Sequence, residues 1–364
     1  MKTILWFTDT FEDLNGVAST LQEITQYALK HKYNIIVVTA TNKKLSTIYN
    51  LDLLFNFTLP YYNVLKIKIP KYSNIKNLLK LNPYKIYVST PGPIGLLGKI
   101  VAKKSNCKCI GVYHTDFEAQ TKYITNNYFI TKFMKYYELF FYKLCDEIIT
   151  PSKEYLDILK TKYKNVSLFS RAVDKEIFYY DKNSKQLLIK KYNIKKTDKI
   201  VIYVGRISKD KNIDFLIKVY FTLKDNLYNE NIKLLLIGDG PYLKELQKKY
   251  KDKDIIFCGN INRAELKDYY SSADLFLFPS ITDTFGMVII EALACNCPVL
   301  VSNIGGPQNT MKLLKLDNHI IKYNNIIKWY LESINILKRK NKINYSNKIY
   351  KCFNWKKAIK QIIK

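Results

Sequence analysis

Two carboxylates with an amide-rich turn between them are the residues of this sequence best placed to do chemistry. The segment Pro279-Ser-Ile-Thr-Asp283-Thr-Phe285-Gly286-Met-Val-Ile-Ile-Glu291-Ala-Leu-Ala294 reads as the end of a buried strand, a short polar loop, and a helix opening near Phe285. Asp283 falls in the loop and Glu291 inside the helix. At 1.5 Å rise per residue the two acids stand roughly 10 Å apart along the axis. Between them, the unpaired amides of Phe285 and Gly286 and the positive end of the helix dipole attract anions. The loop therefore offers hydroxyl acceptors at two ends and an anion site in the middle, an arrangement that suits a sugar, a diphosphate and a ribose in a row. Read separately, each acid is ordinary: a surface acid at a helix start and an exposed helical Glu.

Three further segments carry chemistry at the ends of strands. In Val204-Gly205-Arg206-Ile-Ser-Lys-Asp-Lys211-Asn212, Gly205 permits a turn, and Arg206 and Lys211 are expected to point toward one place. Two cations there can neutralise a diphosphate leaving group without a metal ion. Alone, the segment is better explained as a solvated basic turn. In Gly111-Val-Tyr-His114-Thr-Asp116-Phe, His114 is the one histidine of three expected at a strand's carboxyl end, where a hydrogen-bonded loop histidine is the plain alternative. Asp116 is a candidate for orienting it or for meeting an acceptor. Asn15-Gly16-Val17 opens the first helix, where Gly16 would let backbone approach a phosphate.

These residues need strands to present them. Short apolar strands are expected at Thr3 to Phe7, Asn34 to Ala40, Lys85 to Ser89, Lys108 to Tyr113 and Glu147 to Thr150, with a helix over Val17 to Lys30 and a tyrosine-rich region unassigned. Asp174 to Lys191 is polar without clear pattern and reads as a hinge. A second set of strands follows, at Lys199 to Val204, Lys233 to Ile237, Asp254 to Phe257, Asp274 to Phe278 and Pro298 to Val301. Helices are expected between them, at Ile213 to Asp225, Tyr242 to Lys251, Arg263 to Ser272 and Gly286 to Ala294. Alternation of this kind implies α/β structure built on parallel sheets, whose ligands collect at the carboxyl ends of the strands. The expected domains are 1–172, 173–345, and a final helix over 346–364.

The chain has 364 residues, 48% of them hydrophobic, and a formal net charge of +28. No apolar run approaches the length of a membrane span, and the short run at the amino end reads as a core strand, so cytoplasmic synthesis is expected. Seven cysteines form no Cys-x-x-Cys pair, which argues for buried thiols and against zinc. The positive charge is nearly all Lys, with only four Arg. That composition, lacking any helix-turn-helix or finger signature, speaks against nucleic-acid binding. Excess Lys, Asn, Ile and Tyr together resembles a source with AT-rich codons, a reading that makes much of the charge compositional. An anionic membrane surface, which needs only unspecific positive charge, is the favoured large partner. From Asn126 to Cys145 a helix places Phe129, Phe133, Tyr136, Tyr137, Phe140, Phe141 and Leu144 on one face. It is expected to pack on the first sheet, while Lys122, Lys132, Lys135 and Lys143 leave an interfacial role open.

Phe285-Gly-x-Val-x-x-Glu291-Ala-Leu-Ala, with an acid three residues before the glycine, resembles the two-acid signature of family four retaining glycosyltransferases. The resemblance implies the GT-B fold, two doubly wound Rossmann-like domains facing across a cleft, and it extends over nearly the whole chain. It implies a nucleotide diphosphate sugar as co-substrate, with no cofactor and no metal. It places Asp283 on the donor sugar (the family more often has Glu there), Glu291 on the ribose, and Phe285 and Gly286 at the anion site. Arg206 and Lys211 match the family's phosphate-binding Gly-Arg-x-x-x-x-Lys motif, Gly16 its amino-terminal loop, and Ile261 in Cys258-Gly-Asn-Ile261 its contact with the base. His114 would reach the donor sugar or reaction centre. Phe353-Asn-Trp355-Lys-Lys-Ala358 resembles the element before the family's last helix. The implied acceptor is a glycolipid or saccharide hydroxyl. An epimerase or phosphorylase on the same fold, or a basic nucleic-acid-binding protein, are the competing readings.

Overall fold

A computed structural model describes residues 2–12, 16–59, 62–227, 231–251, 254–339 and 341–364. It divides into two compact units, Met1–Ser170 with Ile359–Lys364, and Arg171–Ala358.

The first unit runs β1 (Thr3–Phe7), α1 (Gly16–Lys30), β2 (Ile35–Thr39), β3 (Ile48–Asn50), β4 (Leu53–Leu59), β5 (Tyr62–Pro70), α2 (Asn74–Lys80), β6 (Pro83–Val88), α3 (Pro93–Ser105), β7 (Lys108–Val112), α4 (Phe117–Thr125), α5 (Tyr128–Lys143), β8 (Glu147–Thr150), α6 (Lys153–Lys160) and β9 (Val166–Leu168). Seven strands form one parallel sheet in the order β3-β2-β1-β6-β7-β8-β9. Strands such as Thr-Ile-Leu-Trp-Phe carry apolar residues without alternation because both faces of such a sheet are covered, and Leu5, Trp6 and Phe7 are fully buried. The tyrosine-rich region holds an antiparallel pair, β4 with β5, outside the main sheet. Leu54, Phe55 and Phe57 of β4 all lie exposed, so the run lacks the alternation that announces a strand.

The second unit runs α7 (Ser184–Tyr192), β10 (Lys199–Val204), α8 (Ile213–Asn226), β11 (Ile232–Ile237), α9 (Leu243–Lys249), β12 (Ile255–Gly259), α10 (Leu266–Ser272), β13 (Leu275–Phe278), α11 (Met287–Ala294), β14 (Val299–Ser302), α12 (Pro307–Leu313), β15 (Ile320–Ile321), α13 (Ile326–Leu337), α14 (Ser346–Cys352) and α15 (Trp355–Ile363). Its parallel sheet is ordered β12-β11-β10-β13-β14-β15. Ile202, Leu235 and Phe276 from three neighbouring strands are fully buried in one core, where truncation to Ala costs about 2–5 kcal/mol. The polar stretch expected to be a hinge contains α7, which is pinned to α10 by Ser184 Oγ donating to Asp268 at 2.7 Å and by paired Tyr192 and Tyr269 hydroxyls. Only Leu188 of its two leucines is buried, which is why its amphipathic pattern is faint.

In each sheet the strand order reverses direction once, between β1 and β6 and between β10 and β13. The loops leaving those strands at their carboxyl ends are where an open α/β sheet accommodates a ligand.

The end of α15 groups with the first unit. There the Tyr87 hydroxyl donates to the Ile362 carbonyl at 2.9 Å, and the Ser170 amide to Gln361 at 2.7 Å.

Candidate active site

The loop after β10 and the loop after β13 meet at the second unit's reversal point. Arg206 is the second residue beyond β10, and its carbonyl accepts from the buried Tyr203 hydroxyl at 3.0 Å. A short 3-10 turn, Lys209–Lys211, then brings Lys211 back. Between the two cations sits Asp210, a residue to which the sequence reading gave no role. It is buried, accepts from Arg206 Nη2 at 3.2 Å, and lies 3.5 Å from Lys211 Nζ. Ser208 and Thr282 also donate to it, at 2.5 and 2.8 Å. Burial pushes its carboxyl up, but Lys211, Arg206 and the two hydroxyls outweigh that and bring it down to about 2. Asp210 is therefore ionised at neutral pH and fixes both cations before any ligand arrives.

Lys211 reaches further, donating to Asp283 Oδ2 at 2.8 Å and to Thr282 Oγ1 at 3.3 Å. Ser280 donates to the same Asp283 oxygen. Arg206, Lys211, Asp210 and Asp283 are thus one cluster of two cations and two acids, held mostly out of water. The Asp283 loop is braced from behind: the Gly306 amide donates to the Asp283 carbonyl at 2.8 Å, and a Cβ on Gly306 would fall 1.8 Å from the Thr284 carbonyl oxygen.

Helix α11 opens at Met287, two residues later than expected, because Gly286 takes a left-handed φ of 77° and caps it. The amides at its first turn therefore begin with Met287, and Gly286 itself supplies the bend. The Phe285 side chain is a core contact, edge-on to Phe353 and 5.9 Å from the Arg171 guanidinium. Burial holds that guanidinium down to about 9.

Glu291 is not the exposed helical acid of the plain reading, being 1% exposed. Its Oε1 accepts from Arg263 Nη2 at 2.7 Å and its Oε2 from the Tyr270 hydroxyl at 3.3 Å. Arg263 also stacks 5.0 Å from the Phe178 ring. The sequence held a signal for this burial: Met-Val-Ile-Ile-Glu-Ala-Leu-Ala is apolar on every side of a helix. Nothing local pointed to Arg263, which lies 28 positions away. Ile261 follows β12, two residues before Arg263, and packs against the core.

At the first unit's reversal point the contacts are mostly between neutral groups. Trp6 Nε1 donates to Ser89 Oγ at 2.6 Å, and Ser89 Oγ lies 3.2 Å from Nε2 of the buried His114. Asp9 accepts from Thr90 at 2.6 Å and from the amides of Ile94 and Gly95 at the start of α3. Burial raises its pKa against those bonds. Asp116 caps α4 by accepting from the Ala119 amide at 2.9 Å, and burial raises it also. Glu138 of α5, unremarked in the sequence, accepts from the Phe117 amide at 3.1 Å. Burial, then the Asp116 charge, push it up to about 7 against hydrogen bonds from Tyr113 and Phe117. Gly16 begins α1, and a Cβ there would meet nothing within 4 Å. Asn15 lies outside the described residues.

Residues 14–177 match the model of Glycosyltransferase Family 4, and residues 184–351 match that of Glycosyl transferases group 1. The chain belongs to the family 4 glycosyltransferases of the group 1 type. This glycosyltransferase is 25% identical to the sulfoquinovosyl transferase SQD2 of Arabidopsis thaliana over 81% of this chain, and it spans 58% of that protein's length. It is 28% identical to the alpha-monoglucosyldiacylglycerol synthase of Streptococcus pneumoniae over 81% of this chain and 69% of that one. Among solved structures, Anabaena HepE in complex with UDP and glucose superposes with a TM-score of 0.76 at 14% identity, covering 100% of this chain and 98% of that one. The two Rossmann-like parallel-sheet halves are those of the expected GT-B fold.

Proposed function

We propose that this glycosyltransferase is a retaining, metal-independent hexosyltransferase that moves a hexose from a nucleotide diphosphate sugar to an acceptor hydroxyl. The observation that carries this reading is the Asp210 hub, which holds Arg206 and Lys211 ready beside Asp283 at a strand-order reversal. Two fixed cations stabilise the diphosphate as its bond to the sugar breaks, and they cost no reorganisation at that moment. Arg206 and Lys211 are the counter-charge this site presents to a diphosphate. Asp283 accepts hydroxyls of the sugar, Glu291 those of the ribose, the Gly286 turn and Gly16 let backbone near the phosphates, and Ile261 borders the base. The sugar carbon exchanges its bond to the diphosphate oxygen for one to the acceptor oxygen, and the departing diphosphate takes the acceptor proton. His114 serves the sugar or the reaction centre, with Asp116 on the acceptor side.

The acceptor is a membrane glycolipid or surface polysaccharide precursor, met at the cytoplasmic face of an anionic membrane to which the enzyme binds peripherally. The glycolipid-synthase activity for which the Streptococcus relative is named and the Lys-rich composition support this. Incubation with UDP-, GDP- and ADP-sugars, followed by heating, tests the donor. One of them should stabilise the fold by about 2.7 kcal/mol at a hundredfold excess over Kd. Transfer to an added acceptor separates the transferase from an epimerase or phosphorylase, and EDTA should leave the rate unchanged. Absence of any nucleotide effect beside tight, salt-sensitive DNA binding would overturn the reading.

A further inference from the structure

Helix α5 does not bury the single aromatic face its periodicity suggests. Its inner line is fully used: Phe141 and Tyr142 are core, Glu138 holds the Phe117 amide, and the Tyr137 hydroxyl donates to the Pro91 carbonyl. The other line, Phe129, Phe133, Tyr136 and Phe140, spaced by four, three and four residues, stands 57–78% exposed. These rings are therefore not core residues out of place, because the core side of the helix is already occupied. Lys132 and Lys143 are exposed on the same helix, with Lys135 between them paired to Glu118 of α4 at 3.3 Å, and the one acid of α5 is the buried Glu138. A ridge of aromatic rings flanked by lysines, with no exposed acid on its helix, in a chain of net charge +28, matches an anionic bilayer interface. Rings settle at the headgroup boundary, and lysine stems lie along them with ammonium groups on lipid phosphates.

We propose that the outer face of α5 is the surface by which this enzyme enters an anionic bilayer interface. The inference rests on the peripheral-membrane part of the reading above and names the element responsible. It carries a geometric consequence within the first unit. The inner face of α5 touches Pro91, just after β6, and Phe117, just after β7, so the interface lies directly behind the loop that carries His114 and Asp116.

The test uses the full chain and vesicles of equal parts phosphatidylglycerol and phosphatidylcholine at low salt. The native tryptophans Trp6, Trp329 and Trp355 are buried, so a tryptophan introduced at an exposed site reports its own surroundings. The wild type should float with these vesicles and not with phosphatidylcholine alone. Phe133→Trp should shift its emission to the blue on binding, while Leu187→Trp, exposed on α7, should not. A Phe129→Ser/Phe133→Ser variant should lose at least tenfold in vesicle affinity yet keep its thermal stabilisation by nucleotide. Flotation of the wild type with a silent Phe133→Trp would refute the α5 surface and leave peripheral attachment standing. A wild type that does not float removes attachment itself. A dimer in the absence of lipid, broken by the double variant, would mean that a second copy covers the ridge and would overturn the proposal.

Discussion

The two strand-order reversals occupy equivalent places in their sheets and are built from opposite materials. In the second unit, Arg206, Lys211, Asp210 and Asp283 form a charged network in which the deepest member is an acid kept ionised. In the first, Trp6, Ser89, His114, Asp9 and Thr90 form hydrogen bonds with little charge, and the nearby acids Asp9, Asp116 and Glu138 are pushed toward their neutral forms by burial. The difference fits the two tasks proposed for these sites. A site that must hold a diphosphate needs fixed cations, and buried cations need a buried acid to be stable without ligand. A site that handles hydroxyls is served by neutral donors and acceptors, whose fields do not compete with that charge.

The contrast breaks most severely at Arg206. Arg206→Ala should lower turnover on the order of 10²–10³-fold, the loss typical of one preorganised transition-state contact, and should lower melting too, because it removes one of the two cations that hold the buried Asp210 ionised. Asp210→Asn acts on the fold as well. It leaves two cations without their buried counter-charge, and stability should fall on the order of 3 kcal/mol at pH 7. The carboxyl's pKa is lowered from 3.8 to about 2 on folding, so the wild type binds fewer protons at Asp210 folded than unfolded. Its contribution is present above pH 4 and is lost as pH falls through 2. Chemical unfolding at a series of acid pH values checks this, since the variant should lack that part of the acid dependence.

Glu138 should behave in the opposite sense. Its pKa is raised from 4.5 to about 7, so the folded state holds a proton that the unfolded state has released. Stability from this group is full below pH 4.5 and falls by about 3 kcal/mol as pH rises through 7. Glu138→Gln should flatten that slope and be the more stable protein at pH 8. An unchanged slope in the variant would mean that burial does not raise Glu138 as described. The smallest structural effect is expected at Gly16, where an added Cβ meets nothing. Gly16→Ala should leave stability within about 0.5 kcal/mol while weakening nucleotide binding, because the methyl group would occupy the space that the proposed function gives to phosphate.

Much of this site could be read from sequence because its parts lie in short contiguous segments. Arg206 and Lys211 share one turn, and Asp283 and Glu291 flank one helix start, so spacing together with the family resemblance brought each pair into view. The partners that set their behaviour are distant or were overlooked. Asp210 sits between the two cations in the same segment, yet only burial reveals that it is their hub. Arg263 meets Glu291 across separate elements, a pairing that no local pattern encodes. The aromatic spacing in α5 identified a helix correctly, but periodicity reports a stripe and not which stripe faces the core. Strands β3, β9 and β15, of three, three and two residues, are too short to show a period at all.

The central claim is that the second unit holds a nucleotide diphosphate through Arg206 and Lys211, fixed in advance by Asp210. It is tested most directly by calorimetric titration of UDP and GDP into the wild type and an Arg206→Ala/Lys211→Ala variant, each shown to be folded. The account predicts that one nucleotide binds the wild type with an affinity that falls as salt rises, and that the double variant loses at least a hundredfold. Equal affinity in the two proteins would contradict it.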